Sequence, residues 1–308
     1  MPEGSLVVVG STNTDMVLRV PRIPAPGETV LGGNLQVMQG GKGANQAVAA
    51  ARAGGKVTFV TKIGQDSFGQ ISRDGFEEDG IDCQYIAIAP DAPSGTALIF
   101  VDDAGQNAIG VGPGANGTLM VEDLEPVREV IAAASVVLAQ LEIPMSCIRW
   151  LAEVAGETDT RFILNPAPAP ATPLDDEILK NVSILVPNES ETELLTGLKI
   201  TGPEEAEAAA LQLLDKGIET VIVTLGDAGC MVVTAGERYF VPAQKVQAVD
   251  TTAAGDAFCG TLSVALAEGQ TLRESVEFAS AAAALSVTKM GAQPSMHTRS
   301  EIEGTAEC

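Results

Sequence analysis

The sequence predicts an α/β fold: a mostly parallel central sheet sandwiched between two helical layers, with a smaller second sheet beside it. Three observations carry that expectation. Short apolar runs recur at residues 6–9, 57–60, 136–139, 162–164, 184–186, 221–223 and 231–233. They are continuous rather than alternating, as strands buried on both faces are. Helical periodicity lies between many of them: Ala44, Ala47, Val48 and Ala51 share one face, Phe258, Leu262, Ala265 and Leu266 a second, and Val276, Ala279, Ala283 and Val287 a third. The third observation is a pair of segments, about 15–39 and 85–111, that carry strand-like residues and turn clusters but no helix pattern. These read as antiparallel strands outside the main sheet, combining into one small sheet that acts as a lid, a dimer surface, or both.

The chain has 308 residues, 45% of them hydrophobic and 19% charged, which fits one large globular unit over 1–308. Aromatics make up only 4%, so Val, Ile, Leu and Ala must build the core. The formal net charge is −23, which disfavours nucleic acid and anionic membranes as partners. Solubility is the plain reason for such acidity; a salt-rich cytoplasm is the sharper one. Five cysteines with no CxxC or Cys/His cluster read as reduced thiols in a cytoplasmic protein. No export segment is expected, and no apolar run reaches membrane-spanning length. The Pro-rich stretch 165–173 reads as a loop.

"GGKGANQAVAAARAGG" (40–55) combines glycines, a lysine and a helix start. A nucleotide P-loop needs Ser or Thr after the lysine and a glycine five positions before Gly41. Gly43 and Gln36 stand there instead. A dinucleotide G-x-G-x-x-G fails too, because Ala44, Asn45 and Gln46 follow Gly43. Two readings remain. One is a tight turn with Lys42 in solvent. The other is a backbone nest that admits a polyol, with Asn45 forking hydrogen bonds to adjacent hydroxyls.

"DTTAAGDAFCG" (250–260) places Ala253, Ala254 and Gly255 at a helix start, where free N–H groups make an anion site. Asp256 follows in the first turn. It is either a charge complementing the helix terminus or a general base beside an anion hole, a pairing that suits phosphoryl transfer. The helix dipole would hold its pKa low. Asn13 and Asp15 follow the first strand, where α/β sheets place ligands, although turn chemistry also explains them. Asn188 and Glu191 follow another strand and serve either as a helix cap or as hard oxygen donors to magnesium or its waters. The segment from Thr224 through Leu225, Gly226, Asp227 and Ala228 to Gly229 reads as a strand-joining turn.

These strings, in this order, resemble the ribokinase-like family of sugar and nucleoside kinases over about residues 5–303. "GSTNTDMVLRVPRIPAPGETV", "LNPAPA", "VPNESETELLTG" and "GAQPS" strengthen the likeness. The resemblance implies a three-layer α/β/α sandwich with a β-sheet lid that often forms a dimer contact. It also implies ATP-dependent transfer of the γ-phosphoryl group to the 5-hydroxyl of D-ribose. By position, it assigns sugar binding to Asn13, Asp15, Gly41, Lys42, Gly43, Ala44, Asn45, Glu142 and Asp256. Asp256 would be the base, and Ala253 to Asp256 the anion hole. ATP would meet Asn188, Thr224 to Gly229, Gly255 and Ser280. Asn188 and Glu191 would organise magnesium through water. An activating potassium ion would sit at Asp250, Thr252, Ser286, Lys289, Gly291 and Ser295, mostly on backbone carbonyls. Ser280 is shorter than the His or Asn some members place beside the adenine, and Ser94 stands where Thr is common. His297, the sole histidine, has no motif around it and reads as surface. The competing readings are a kinase for 2-deoxyribose, fructose or a nucleoside, and a non-catalytic sugar-binding regulator.

Overall fold

The computed structural model describes residues 4–170 and 172–305. Thirteen strands form two sheets among these residues. In chain order they are β1 (Ser5–Val9), β2 (Asn13–Arg19), β3 (Leu35–Gly40), β4 (Lys56–Gly64), β5 (Ile86–Ala89), β6 (Gly95–Val101), β7 (Asn107–Gly112), β8 (Val136–Ala139), β9 (Arg161–Leu164), β10 (Ile184–Leu185), β11 (Thr220–Thr224), β12 (Gly229–Thr234) and β13 (Arg238–Pro242).

The large sheet has the order β13-β12-β11-β10-β9-β8-β1-β4-β5. It is parallel from β11 through β5, and β12 and β13 add antiparallel at one edge. Its strands are apolar throughout because both faces are covered. Leu6 and Val8 of β1 pack into one core layer, with the helices Lys42–Arg52, Ala254–Ala267 and Leu272–Ser286. Val7 and Val9 pack into the other, with the helix Met145–Gly156. Each such fully buried Val or Leu contributes about 1.5–3 kcal/mol. Small residues build a close helix contact. A Cβ on Gly260 would lie 2.4 Å from the Gln46 carbonyl oxygen, so the helices Lys42–Arg52 and Ala254–Ala267 cross with their backbones nearly touching.

The small sheet has the order β3-β2-β6-β7. Two antiparallel hairpins meet along a parallel β2/β6 seam. The expectation for 85–111 needs one correction: Ile86–Ala89 pairs in parallel with β4 and belongs to the large sheet. Its length and apolar character are those of any strand, and only the pairing of distant segments assigns it. The described residues of 165–173 hold no helix or strand, as expected for a loop; residue 171 lies outside the described set. Cys83, Cys147, Cys230 and Cys259 are buried free thiols, and Cys308 lies outside the described residues. No helix among the described residues is long and apolar enough to cross a membrane.

Candidate active site

The chain leaves β1 for the small sheet, adds β4 and β5 on one side, and returns to place β8 on the other. That reversal opens a crevice at the carboxyl ends of the strands, where α/β sheets bind ligands. Polar residues follow each strand end there: Ser11 after β1, Gln140 and Glu142 after β8, Asn165 after β9, Asn188 after β10, and Thr224 ending β11.

The glycine turn closes tightly on this crevice. Gly41 has φ +90°, and a Cβ on it would lie 2.7 Å from the Asn13 nitrogen. A Cβ on Gly43 would meet the backbone of Gly10 and Ser11 at 2.5 Å. The N–H groups of residues 42–45 are spent inside the protein. Lys42 N–H donates to Glu142 Oε2 (3.0 Å), Gly43 N–H to Ser11 Oγ (3.3 Å), Ala44 N–H to the Ser11 carbonyl (2.9 Å) and Asn45 N–H to the Gly41 carbonyl (2.8 Å). Ser11 Oγ–H also donates to Glu142. The nest therefore holds a carboxylate of its own chain.

Asp256 sits in the first turn of the helix Ala254–Ala267 and is 5% exposed. Its Oδ2 accepts from Asn45 Nδ2 (3.0 Å) and its Oδ1 from Gln46 Nε2 (2.9 Å). The helix-dipole expectation is overturned. Burial raises the Asp256 pKa more than Lys42 and the two amides lower it, and Glu142 adds to the rise. A raised pKa suits a proton acceptor working near neutrality. Lys42 is not a solvent lysine. Burial would lower its pKa, but the carboxylates of Asp256, Glu142 and Glu191 outweigh that and raise it.

Lys42, Asn188, Glu191, Thr224 and Ala253 to Asp256 line one cavity of about 160 Å³. At the helix start, Ala253 has φ +62°, the one positive φ among described non-glycine residues. Ala254 N–H makes a long bond to the Thr251 carbonyl (3.4 Å), and the N–H groups of Gly255 and Asp256 find no acceptor among the described residues. A Cβ on Gly255 would meet nothing within 4 Å. Of the sugar candidates, Lys42 and Asp256 line this cavity, whereas Asn13, Asp15, Asn45 and Glu142 do not. Asp15, on β2, faces Glu142 and Asp256, and its pKa is raised to about 6 by burial and by those two carboxylates. Asn45 Oδ1 is buried without a partner, whereas Asn13 Oδ1 already accepts from Asn116 Nδ2 (2.8 Å).

The nucleotide candidates are less tightly gathered. Asn188 and Thr224 bridge their strand ends. Leu225 turns back to Gly229, leaving Gly226, Asp227 and Ala228 exposed beside the cavity. Ser280 does not line that cavity; its Oγ lies 4.0 Å from Cys230 Sγ, under the residue paired with Thr224.

For magnesium, Asn188 and Glu191 form a reciprocal capping box: Glu191 N–H donates to Asn188 Oδ1 and Asn188 N–H to Glu191 Oε2. No three His, Cys, Asp or Glu residues among those described could hold a metal ion directly. Asn188 and Glu191 would therefore suit a hydrated ion, held through its waters, better than direct ligation. For potassium, Asp250 accepts from Thr252 N–H and Oγ–H and from Gly291 N–H, strapping two loops together. The Lys289 ammonium turns to Glu301 (3.7 Å), which leaves its carbonyl as the donor. Ser286 Oγ–H donates to the Ala283 carbonyl and Ser295 Oγ–H to the Ala292 carbonyl, so both hydroxyls keep lone pairs. Oxygen donors with a single carboxylate fit one positive charge.

His297 corrects the sequence reading. It is buried at 8% exposure with Nδ1 unpartnered, and its pKa is lowered chiefly by burial. Ser94 is buried as well, tying the end of β4 to the Asp66 helix cap through bonds from Gly64 N–H and to Asp66. Ser11, Gln46, Gln140 and Asn165 were missed as site residues. Three of them follow strand ends, a signal that would have found them; Gln46 has no such signal.

A buried carboxylate at a helix start, a lysine facing it, and unclaimed N–H groups at the switch point of a parallel sheet define an α/β phosphotransferase. The pfkB family carbohydrate kinase profile matches residues 3–299, and the chain belongs to that family. It is 44% identical over 297 residues to a ribokinase of Haemophilus influenzae, covering 96% of each chain. Among solved structures it resembles a ribokinase of Thermotoga maritima (39% identity, TM-score 0.90, 99% of each chain). It also resembles an Arabidopsis thaliana ribokinase complexed with ribose and ATP (34% identity, TM-score 0.91, 99% of each chain).

Proposed function

We propose that this chain phosphorylates D-ribose at O5 with ATP. The observation that carries the reading is Asp256, buried between two amide donors, facing Lys42, at a helix start with free N–H groups. Asp256 takes the proton from the attacking hydroxyl. Gly255 and Asp256 N–H receive the charge developing on the transferred phosphoryl group, and Lys42 faces the same cavity. Asp15, Asn45 Oδ1 and Glu142 hold the acceptor hydroxyls, which suits a small polyol. Magnesium, when bound, neutralises phosphate charge, and potassium, when bound, stiffens the Asp250 and Gly291 loops beside the anion hole.

The small sheet is the lid. Strand alternation and register put Asn13, Asp15, Val17, Ile99, Ile109 and Val111 on one face, and Met16, Leu35, Val37 and Leu98 on the other. The Asp15 face closes over the sugar and excludes water. Leu35, Val37 and Leu98 on the opposite face are more than half exposed, and so are Ile109 and Val111 on the Asp15 face; with the Asp15 face turned to the sugar, the opposite face is the one left for a homodimer contact. Four buried free thiols support a reducing, cytoplasmic location. An ADP-release assay over ribose, 2-deoxyribose, fructose and nucleosides, with and without potassium, tests the reading. Ribose should give the highest kcat/KM, with turnover rising on potassium addition. No ADP release with any sugar would overturn it.

A further inference from the structure

We propose that Gln46 is a positioning residue for the catalytic base, the last link of a buried amide chain that delivers an N–H donor to Asp256. This rests on the reading of Asp256 as proton acceptor. The polarity of the chain is set at its far end. The Val186 carbonyl only accepts, so the Asn165 amide must point Nδ2 at it (2.9 Å) and turn Oδ1 toward Gln46. Gln46 must then present its NH2 group there: one hydrogen goes to Asn165 Oδ1 (3.1 Å) and the other to Asp256 Oδ1 (2.9 Å). Its own Oε1 accepts from Gln140 Nε2, which closes the chain. Gln46 and Gln140 are both fully buried. No rotation of the Gln46 amide is free, because a flip would set oxygen against the oxygens of Asn165 and Asp256.

The geometry beneath the pair is equally constrained. Gly260, one helical turn beyond Asp256, lies against the Gln46 carbonyl. A close helix crossing thus underlies the Gln46–Asp256 bond. The other groups facing Asp256 are Lys42 on the same helix as Gln46, Asp15 on β2, Glu142 after β8, Glu191 on the helix Glu189–Thr196, and Cys259 on its own helix. Lys42 alone among them is cationic, so each amide donor counts in keeping the base ionised.

The test is the pH profile of kcat between about pH 5 and 9 at saturating ribose and ATP. Gln46→Met keeps side-chain length and removes the donor; Gln46→Glu replaces it with an acceptor. The acid limb should move up by about one pH unit in Gln46→Met and further in Gln46→Glu, so that kcat on the acid side of the limb falls by up to about tenfold in Gln46→Met and approaches wild type on the alkaline side. The ribose KM should stay within about twofold, since Gln46 touches no sugar. Gln140→Met leaves Gln46 Oε1 without its donor and loosens the amide while touching nothing of Asp256. It should shift the limb the same way by less, and it serves where the Gln46 variants do not fold. A kcat lowered equally at every pH, with the limb in place, would reduce Gln46 to a packing role and overturn the proposal. Asp256→Asn, run in parallel, separates the two levels: wild-type turnover there would remove the base assignment itself.

Discussion

Asp15 titrates where its chemistry can be watched. Its carboxyl is pushed up to about 6 by burial, Glu142 and Asp256. A folded pKa above the unfolded one means that its contribution to stability is present at low pH and fades as pH rises through about 6. Sugar hydroxyls donate to the ionised form, so binding runs the other way. The ribose KM should rise as pH falls below about 6, and Asp15→Asn should flatten that dependence while weakening affinity at pH 7. A wild-type KM constant across that range would count against Asp15 as a hydroxyl acceptor. Asp256→Asn should keep the fold and ATP binding but lower turnover about 10²-fold or more, read in a coupled assay with a parallel nucleotide titration.

At the scale of elements, the glycine turn works by closeness, which brings its N–H groups within reach of Ser11 and Glu142. Gly43→Ala would drive a Cβ into the Gly10 and Ser11 backbone, where no flexible side chain can yield. Overpacking of this kind costs about 1–3 kcal/mol. It should lower the melting temperature and raise the ribose KM together, because Ser11 and Lys42 N–H position Glu142. Thermal melts and steady-state kinetics on one preparation would check both. The small sheet offers a separate test. Register sets Val37 and Leu98 on either side of Met16. Charges placed there, Val37→Asp with Leu98→Asp, should shift sedimentation from dimer to monomer if that face is the contact. An unchanged mass would place any dimer elsewhere.

At the scale of the whole molecule, 41 acidic against 18 basic residues leave a field that opposes compaction. Salt screens it, so the melting temperature should rise between about 0.1 and 1 M salt, sodium and potassium alike. A flat response would mean that the acidity serves solubility alone. Much of the architecture was legible beforehand because continuous apolar runs and 3.6-residue periodicity are local consequences of being buried on two faces or one. Seven runs matched strands β1, β4 and β8 to β12. The edge strand β13 and the place of β5 were not legible, since membership in a sheet depends on partners distant in sequence. Site residues with unusual local chemistry, such as Asp256 after small residues and Asn188 in its capping box, stood out for the same local reason. By itself the sequence determined the α/β class, the kinase-like motifs and the residue types at the crevice. The tertiary structure alone decided that burial, not the helix dipole, governs Asp256, and that the glycine turn holds Glu142. It also decided that Lys42 faces the cavity, that His297 is buried, and that Gln46 reaches the base. Each of these depends on desolvation or on a hydrogen bond between segments that only packing brings together.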